Sequence, residues 1–287
     1  MRSRKSSFLI VLLMLFTSLL ALLPLFWMFI MALKTPEELT QYPVTIFPKI
    51  MQWKHFWEVI FDPRTIDFFT SLRNSLTLSL TTTVLVTMSS ALAGFGFARY
   101  RAHGRNFLFG IVLATMMLPQ LVTLIPQYIM FSQLNILNKP WPLCYLPFWI
   151  NAAPGWGIFI FFFRQFFASL PKELEDAALI DGCGRFRTFW NIFFPLSGPA
   201  IITTCIFTFQ WTFADYLTPL LYLTTENQTL AVQMQNVRIP NVNYTLPMPP
   251  TPYQMAVGVL YTLPLIVLFF AAQRYFMRGI ATTGVKG

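Results

Sequence analysis

The sequence predicts an all-α, polytopic integral membrane protein with six transmembrane helices. Three observations predict it. Of its 287 residues, 55% are hydrophobic and only 11% are charged, whereas soluble domains carry about 25% charged residues. Mean hydropathy is +0.57. Several apolar runs reach the roughly 20 residues that a helix needs to cross a bilayer. A membrane β-barrel would instead alternate polar and apolar residues over segments of about 10.

The first span is residues 8–33, behind Arg2, Arg4 and Lys5. A secretory signal has an apolar core of roughly 7–15 residues and a small-residue cleavage site. This run is longer and ends "FWMFIMALK", so it reads as a retained span. Residues 34–72 mix acids, prolines and tryptophans and read as a long loop with some local helix. The second span is 74–98, closed by the basic loop "RYRAHGR" at 99–105. The third is 106–131, read as one span despite Pro119 and Pro126, because neighbouring helices can recover hydrogen bonds lost at proline. The fourth is 141–163, followed by Arg164; the fifth is 196–223 and the sixth 253–272. Between the last two lies a polar, proline-rich stretch, 224–252. The predicted organisation is therefore a terminus and first span at 1–33, an outer loop at 34–72, a five-span core at 73–277 and a tail at 278–287.

Orientation follows from basic residues, which accumulate in short cytoplasmic loops. Arg2, Arg4, Lys5, Arg99, Arg101, Arg105, Arg164, Lys172, Arg185, Arg187, Arg274, Arg278 and Lys286 all fall on one side. The short loops opposite hold only Lys139 and Arg238, and the long loop at 34–72 with its edge holds the other five of the 20. Both termini are expected in the cytoplasm. The net charge of +9 is spent on these flanks. It forms no basic domain with interleaved aromatics, so nucleic acid is excluded as a partner.

One segment departs from the apolar pattern: "ELEDAALIDGCGRFRTFWNIFFPLS", residues 173–197. Pro171 suits a helix start, since its missing N–H would be an orphan there. Glu173, Glu175 and Asp176 then complement the helix dipole. Leu174, Ala177, Ala178 and Asp181 fall at i, i+3, i+4 and i+7 and are expected on one shallow face. Gly182 and Gly184 can end this helix in the left-handed conformation. A second short helix is expected from Arg185 to Phe194, stopped by Pro195. A connector lying on lipid would carry Lys and Arg on its polar face. This acidic, alanine-rich helix suits a protein surface better.

Cys144, Cys183 and Cys205 are widely spaced and read as packing residues. His55 and His103 are isolated on loops, so no catalytic set and no metal site is predicted. Gln120 and Gln127 read as helix-packing glue, as does Gln210 in the first instance. No phosphate-binding G-x-x-x-x-G-K-[ST] loop is present.

The passage "LPKELEDAALIDGCGRFRTFWNIFFPLSGPA" resembles the cytoplasmic loop signature of bacterial ABC importer permeases, E-A-A-x-x-D-G followed by a proline about a dozen residues later. "ALKTPEEL", "RNSL", "MMLPQLVTLIPQY", "FFFRQFFASLPKELEDAA" and "RYFMRGIATTGVKG" are also similar to the carbohydrate-uptake group, in the right order, and to its second, G-type permease of maltose-like systems. The resemblance spans nearly the whole chain. It implies the type I importer permease fold in a bacterial inner membrane. It implies a sugar or oligosaccharide importer that couples to a cytoplasmic ATPase through residues 171–194. Glu173, Asp176, Ala177, Ala178, Asp181 and Gly182 would form the coupling helix. Asp176 stands where the family has glutamate and is one methylene shorter.

The implied partners are an ABC ATPase dimer, a second homologous permease in a heterodimer, an extracytoplasmic sugar-binding protein, the sugar and membrane lipid. The chain itself takes no cofactor, since ATP and Mg belong to the ATPase. Asp215 is the one ionisable residue inside a span, about 28 Å from Leu196 at 1.5 Å per residue. Two readings stand for it: a sugar-hydroxyl acceptor on the substrate pathway with Trp211, Tyr216 and Gln210, or an acid that pairs helices. An ion-coupled secondary transporter is the alternative class. It would place several charged groups near the membrane midplane.

Overall fold

The computed structural model describes residues 4–43, 45–238 and 251–283. The end of the basic tail and residues 239–250 of the proline-rich stretch lie outside the described residues. The described residues form helices and connecting loops, without a strand. Among the described residues, three helices are long and apolar enough to cross a membrane: 8–32, 68–99 and 252–273. Three further bent helix pairs bring the spans to six when each pair is taken as one. The chain divides into two compact units, one of residues 1–70 and 233–264 and the other of 71–232 and 265–287.

In the first unit, α1 (Arg4–Ala32) is apolar around its whole circumference. Side chains from Phe8 to Leu23 stand exposed, and a helix with no polar face needs an apolar solvent. Nearer its end, Met28 packs on Gly258, where an added Cβ would lie 2.7 Å from the Met28 sulfur. The loop that follows is held by buried polar groups. Thr35 and Glu38 close a reciprocal capping box on α2 (Pro36–Thr40), which satisfies two orphan N–H groups. The other Glu38 oxygen accepts the Lys49 N–H at 3.0 Å. Lys34 is fully buried and donates to the Thr45 carbonyl.

On α3 (Lys54–Phe61), His55 is buried against the Tyr253 ring at 4.4 Å. Its Nδ1 lies 2.8 Å from the Ala32 carbonyl oxygen, an arrangement that calls for the Nδ1–H tautomer. The Tyr253 hydroxyl donates to Glu58. Burial is the main cause holding the His55 pKa below its ordinary 6.5, with Lys54 adding to it and the Ala32 bond and Glu58 opposing.

The second unit begins with α4 (Phe68–Arg99), which starts six residues before the predicted span. Its buried face carries hydroxyls: Ser75, Ser79, Thr82, Thr87 and Ser90. On α12 (Gly198–Ala214), Thr204, Thr208 and Thr212 are buried at four-residue intervals. Thr87 Oγ1 meets Cys205 Sγ at 3.5 Å across the two helices. Small side chains let membrane helices approach closely. Gly94 does the same against the helix carrying Phe163, where an added Cβ would lie 2.6 Å from Phe163 Cβ.

The predicted third span is broken. Its halves, α5 (Arg105–Met117) and α6 (Gln120–Gln133), meet at 102°. Leu118 precedes Pro119 and is extended, at φ −78° and ψ 120°, as the clash with a following proline ring demands. Pro126, in contrast, stays inside α6. The fourth span bends by 47° between α7 (Leu146–Ala152) and α8 (Gly157–Ser169). Gly155 takes φ +80° there and sits against Ser90. Because α8 runs to Ser169, Arg164 lies within the helix and not after it.

Two outcomes test this account. Gly94→Val should weaken the fold by at least about 1–3 kcal/mol, the usual cost of overpacking, read as a lower melting temperature in detergent. For His55, the unfolded chain binds a proton below pH 6.5 that the folded chain refuses, so stability is lost as pH falls from there. Replacing His55 with Gln should flatten the dependence of melting temperature on pH between about 7 and 5. An unchanged slope would contradict the assignment.

Candidate functional site

The atypical segment folds as two short helical pieces. The first, α9 (Glu173–Ile180), opens after Pro171 with Lys172 at its N-cap. The Lys172 carbonyl accepts N–H groups from Glu175 at 2.9 Å and Asp176 at 3.1 Å. Glu173, Glu175 and Asp176 occupy the first turn, where carboxylates offset the positive helix end.

The exit is a complete Schellman closure. The Cys183 N–H donates to the Ala178 carbonyl at 2.9 Å and the Gly182 N–H to Leu179 at 3.1 Å. Gly182 has φ +73°, and nothing lies within 4 Å of where its Cβ would stand. Glycine is needed there for backbone conformation and not for space.

Gly184 plays a different part from the one expected. It is extended, at φ −67° and ψ 159°, and caps the start of α10 (Arg185–Thr188). The second piece also runs past its predicted stop. A wider π turn, Phe189–Phe193, leads into α11 (Phe194–Leu196), which contains Pro195. The Phe194 N–H reaches back five residues to Phe189. The chain turns by 79° only at Ser197, before α12. Proline removes one donor, and the π register lets the helix pass it.

Beneath this loop lies an aromatic cluster of Phe95, Phe163, Phe167, Phe189 and Phe193 with Ala91 and Ala200. The Phe95 ring is 4.9 Å from Phe193 and 5.2 Å from Phe189. Leu174 packs on the cluster and Ala178 is buried. The single face expected for Leu174, Ala177, Ala178 and Asp181 is therefore split. Leu174 and Ala178 seat the helix on its own chain, while Glu173, Asp176, Ala177, Asp181 and Gly182 stand exposed. Asp181 is already past the helix end.

The exposed surface also includes side chains that the pattern did not single out: Leu179 at 60% exposure, Ile180 at 86% and Phe186 at 63%. A signal for them existed. An eight-residue helix with apolar residues at both 174/178 and 179/180 has two apolar faces and can bury only one internally.

The predicted acid site is organised differently from expectation. Asp215 does not sit inside a continuous helix; it ends α12 in an extended conformation. Its Oδ1 accepts the Thr218 N–H at 3.2 Å, capping α13 (Leu217–Tyr222). Trp211 turns toward α8, stacking near Trp156 at 6.2 Å and 20° and near Phe159 at 5.6 Å and 30°. Gln210 and Tyr216 are exposed.

Two of the three glutamines expected as helix glue bond across helices, and the exposed Gln210 is not among them. Gln120 donates to Thr218 Oγ1 at 3.4 Å. Gln127 Oε1 accepts from Asn151 at 3.2 Å and from Tyr222 at 3.5 Å. Among the described residues, no three His, Cys, Asp or Glu side chains gather as metal ligands.

Because Asn caps as well as Asp, Asp215→Asn should keep the melting temperature. Asp215→Ala should lose about 0.5–2 kcal/mol. If both variants lose transport equally while only one loses stability, the carboxylate charge has a role beyond capping.

Residues 88–282 match the family model described as the binding-protein-dependent transport system inner membrane component. The chain is 33% identical over 275 residues to the arabinooligosaccharides transport system permease protein AraQ of Bacillus subtilis, covering 94% of this chain and 92% of that one. It is 31% identical to the sn-glycerol-3-phosphate transport system permease protein UgpE of Yersinia pestis, covering 91% of each. It is 28% identical to the sulfoquinovosyl glycerol transport system permease protein SmoH of Agrobacterium fabrum, covering 93% of this chain and 89% of that one. Its fold matches a chain from the crystal structure of a bacterial ABC transporter involved in the import of the acidic polysaccharide alginate. The TM-score is 0.77 at 21% identity, covering 96% of this chain and 99% of that one.

Proposed function

The chain belongs to the family of binding-protein-dependent transport system inner membrane components, and from that premise we propose that it is the permease subunit of an ATP-driven importer for a sugar or oligosaccharide. It supplies half of the translocation pathway. The other half comes from a second, homologous permease. A cytoplasmic ATPase dimer binds ATP and Mg, and an extracytoplasmic binding protein delivers the sugar. Both termini face the cytoplasm, as the basic flanks favour.

The observation that carries the coupling role is the exposed α9 surface. It combines acids at a helix start, a glycine-closed helix end and uncovered Leu179 and Ile180 on a rigid aromatic base. Acids can pair with a partner's arginines, and an apolar pair can enter a groove. ATP binding closes the ATPase dimer and draws this helix with it. The permease then exchanges inward-open and outward-open states, each favoured by different contacts. The sugar class rests on the relatives' substrates, which range from an oligosaccharide to glycerol conjugates.

The test is sugar-stimulated ATP hydrolysis by the reconstituted complex. Asp176→Arg reverses a surface charge, and Gly182→Val puts a branched residue at positive φ, costing roughly 1–2 kcal/mol locally. Both should abolish stimulation or release the ATPase while the chain still inserts in the membrane. Unchanged hydrolysis and uptake in both variants would reduce the loop to a connector.

A further inference from the structure

We propose that Arg99 is the positioning residue through which movement of the α9 loop reaches the core helix α4. The proposal rests on the importer reading above. Arg99 is the last residue of α4. Its Nη2 donates to the carbonyls of Phe167 and Leu170, each at 2.6 Å. Leu170 is the C-cap of α8, and α9 begins three residues later at Glu173. The guanidinium also lies over the Phe193 ring, 4.8 Å from its centroid, and Phe193 belongs to the π turn. One side chain therefore grips the strand of chain entering α9 and the helix leaving it, while its backbone ends α4.

The chemistry suits arginine alone. A helix C-terminus leaves carbonyls without partners, and a cation there is favoured by the dipole. A planar, fixed-charge fork can bond carbonyls and stack on an aromatic face together; a lysine ammonium is a point charge that cannot do both. Among the described residues, Arg99 Nε is buried without a hydrogen-bond partner, which adds a cost in desolvation. The next residue extends the arrangement. Arg185 of α10 lies over the Tyr100 ring at 4.8 Å, and Tyr100 packs on the same aromatic cluster as Leu174 of α9. Both helical pieces thus bear on the end of α4, and a shift of α9 must move Arg99 or break its two carbonyl bonds.

The experiment reads sugar taken up per ATP hydrolysed, in proteoliposomes holding the full complex. Wild type is compared with Arg99→Lys, with Phe193→Leu, which removes only the stacking face, and with Arg101→Gln as an exposed control. Arg99→Lys is expected to retain the ATPase and hydrolyse ATP while uptake per ATP falls about twofold to thirtyfold, the range for changes along a coupling network. Phe193→Leu should lower the ratio less, and Arg101→Gln should leave it alone.

An unchanged ratio in Arg99→Lys overturns the proposal. So does an Arg99→Lys chain that fails to assemble while Phe193→Leu couples normally, because Arg99 is then structural only. A wild-type complex without sugar-dependent hydrolysis would instead sink the importer reading itself.

Discussion

Every backbone polar group inside a bilayer must find its partner within the protein. That constraint governs this fold, because the chain breaks its helices at several points. Three of these breaks are supplied with a substitute bond. At the α7–α8 bend, Ser90 Oγ accepts the Trp156 N–H at 3.2 Å. At Ser197, the N–H is shared between the Phe193 and Phe194 carbonyls, each at 3.1 Å, and the hydroxyl donates to Phe194. At the end of α12, Asp215 takes the Thr218 N–H.

The loop at 171–197 takes its order from local closure and from one apolar seat on residues of α4, α8 and α12. The Schellman bonds close α9, and the phenylalanine cluster holds Leu174 and Ala178. Clustered aromatic rings add roughly 0.5–1.5 kcal/mol per pair beyond burial. What remains outside is a compact face of acids, small residues and two uncovered aliphatic side chains.

The contrast between the two predicted sites is instructive. The α9 acids stand in water, where pairing with a partner is cheap to arrange and easy to reverse. Asp215 is half-buried and already engaged with its own backbone. A carboxylate used as a cap has one oxygen committed, which leaves the other for any ligand. Trp211, expected beside it, instead completes an aromatic row with α8. Residues near one another in sequence at a helix end diverge in space, because each step around a helix turns the side chain by about 100°.

By itself the sequence determined the class of the protein, the number of apolar segments, and the acidic loop with its glycine closure. These depend on composition, run length and the φ that only glycine readily adopts, all of which are local. It did not determine where helices bend. Pro119 breaks its span at 102° while Pro126 and Pro195 are carried inside helices. What decides is whether neighbours cover the freed backbone groups, and that is a property of packing. Nor did it show which of two apolar faces on α9 turns inward, or that Arg99 would find two carbonyls and a phenyl ring from residues 68 to 94 positions later. Those contacts exist only once α4, α8 and the π turn are brought together by burial of the phenylalanine cluster, a non-local event that no window of sequence contains.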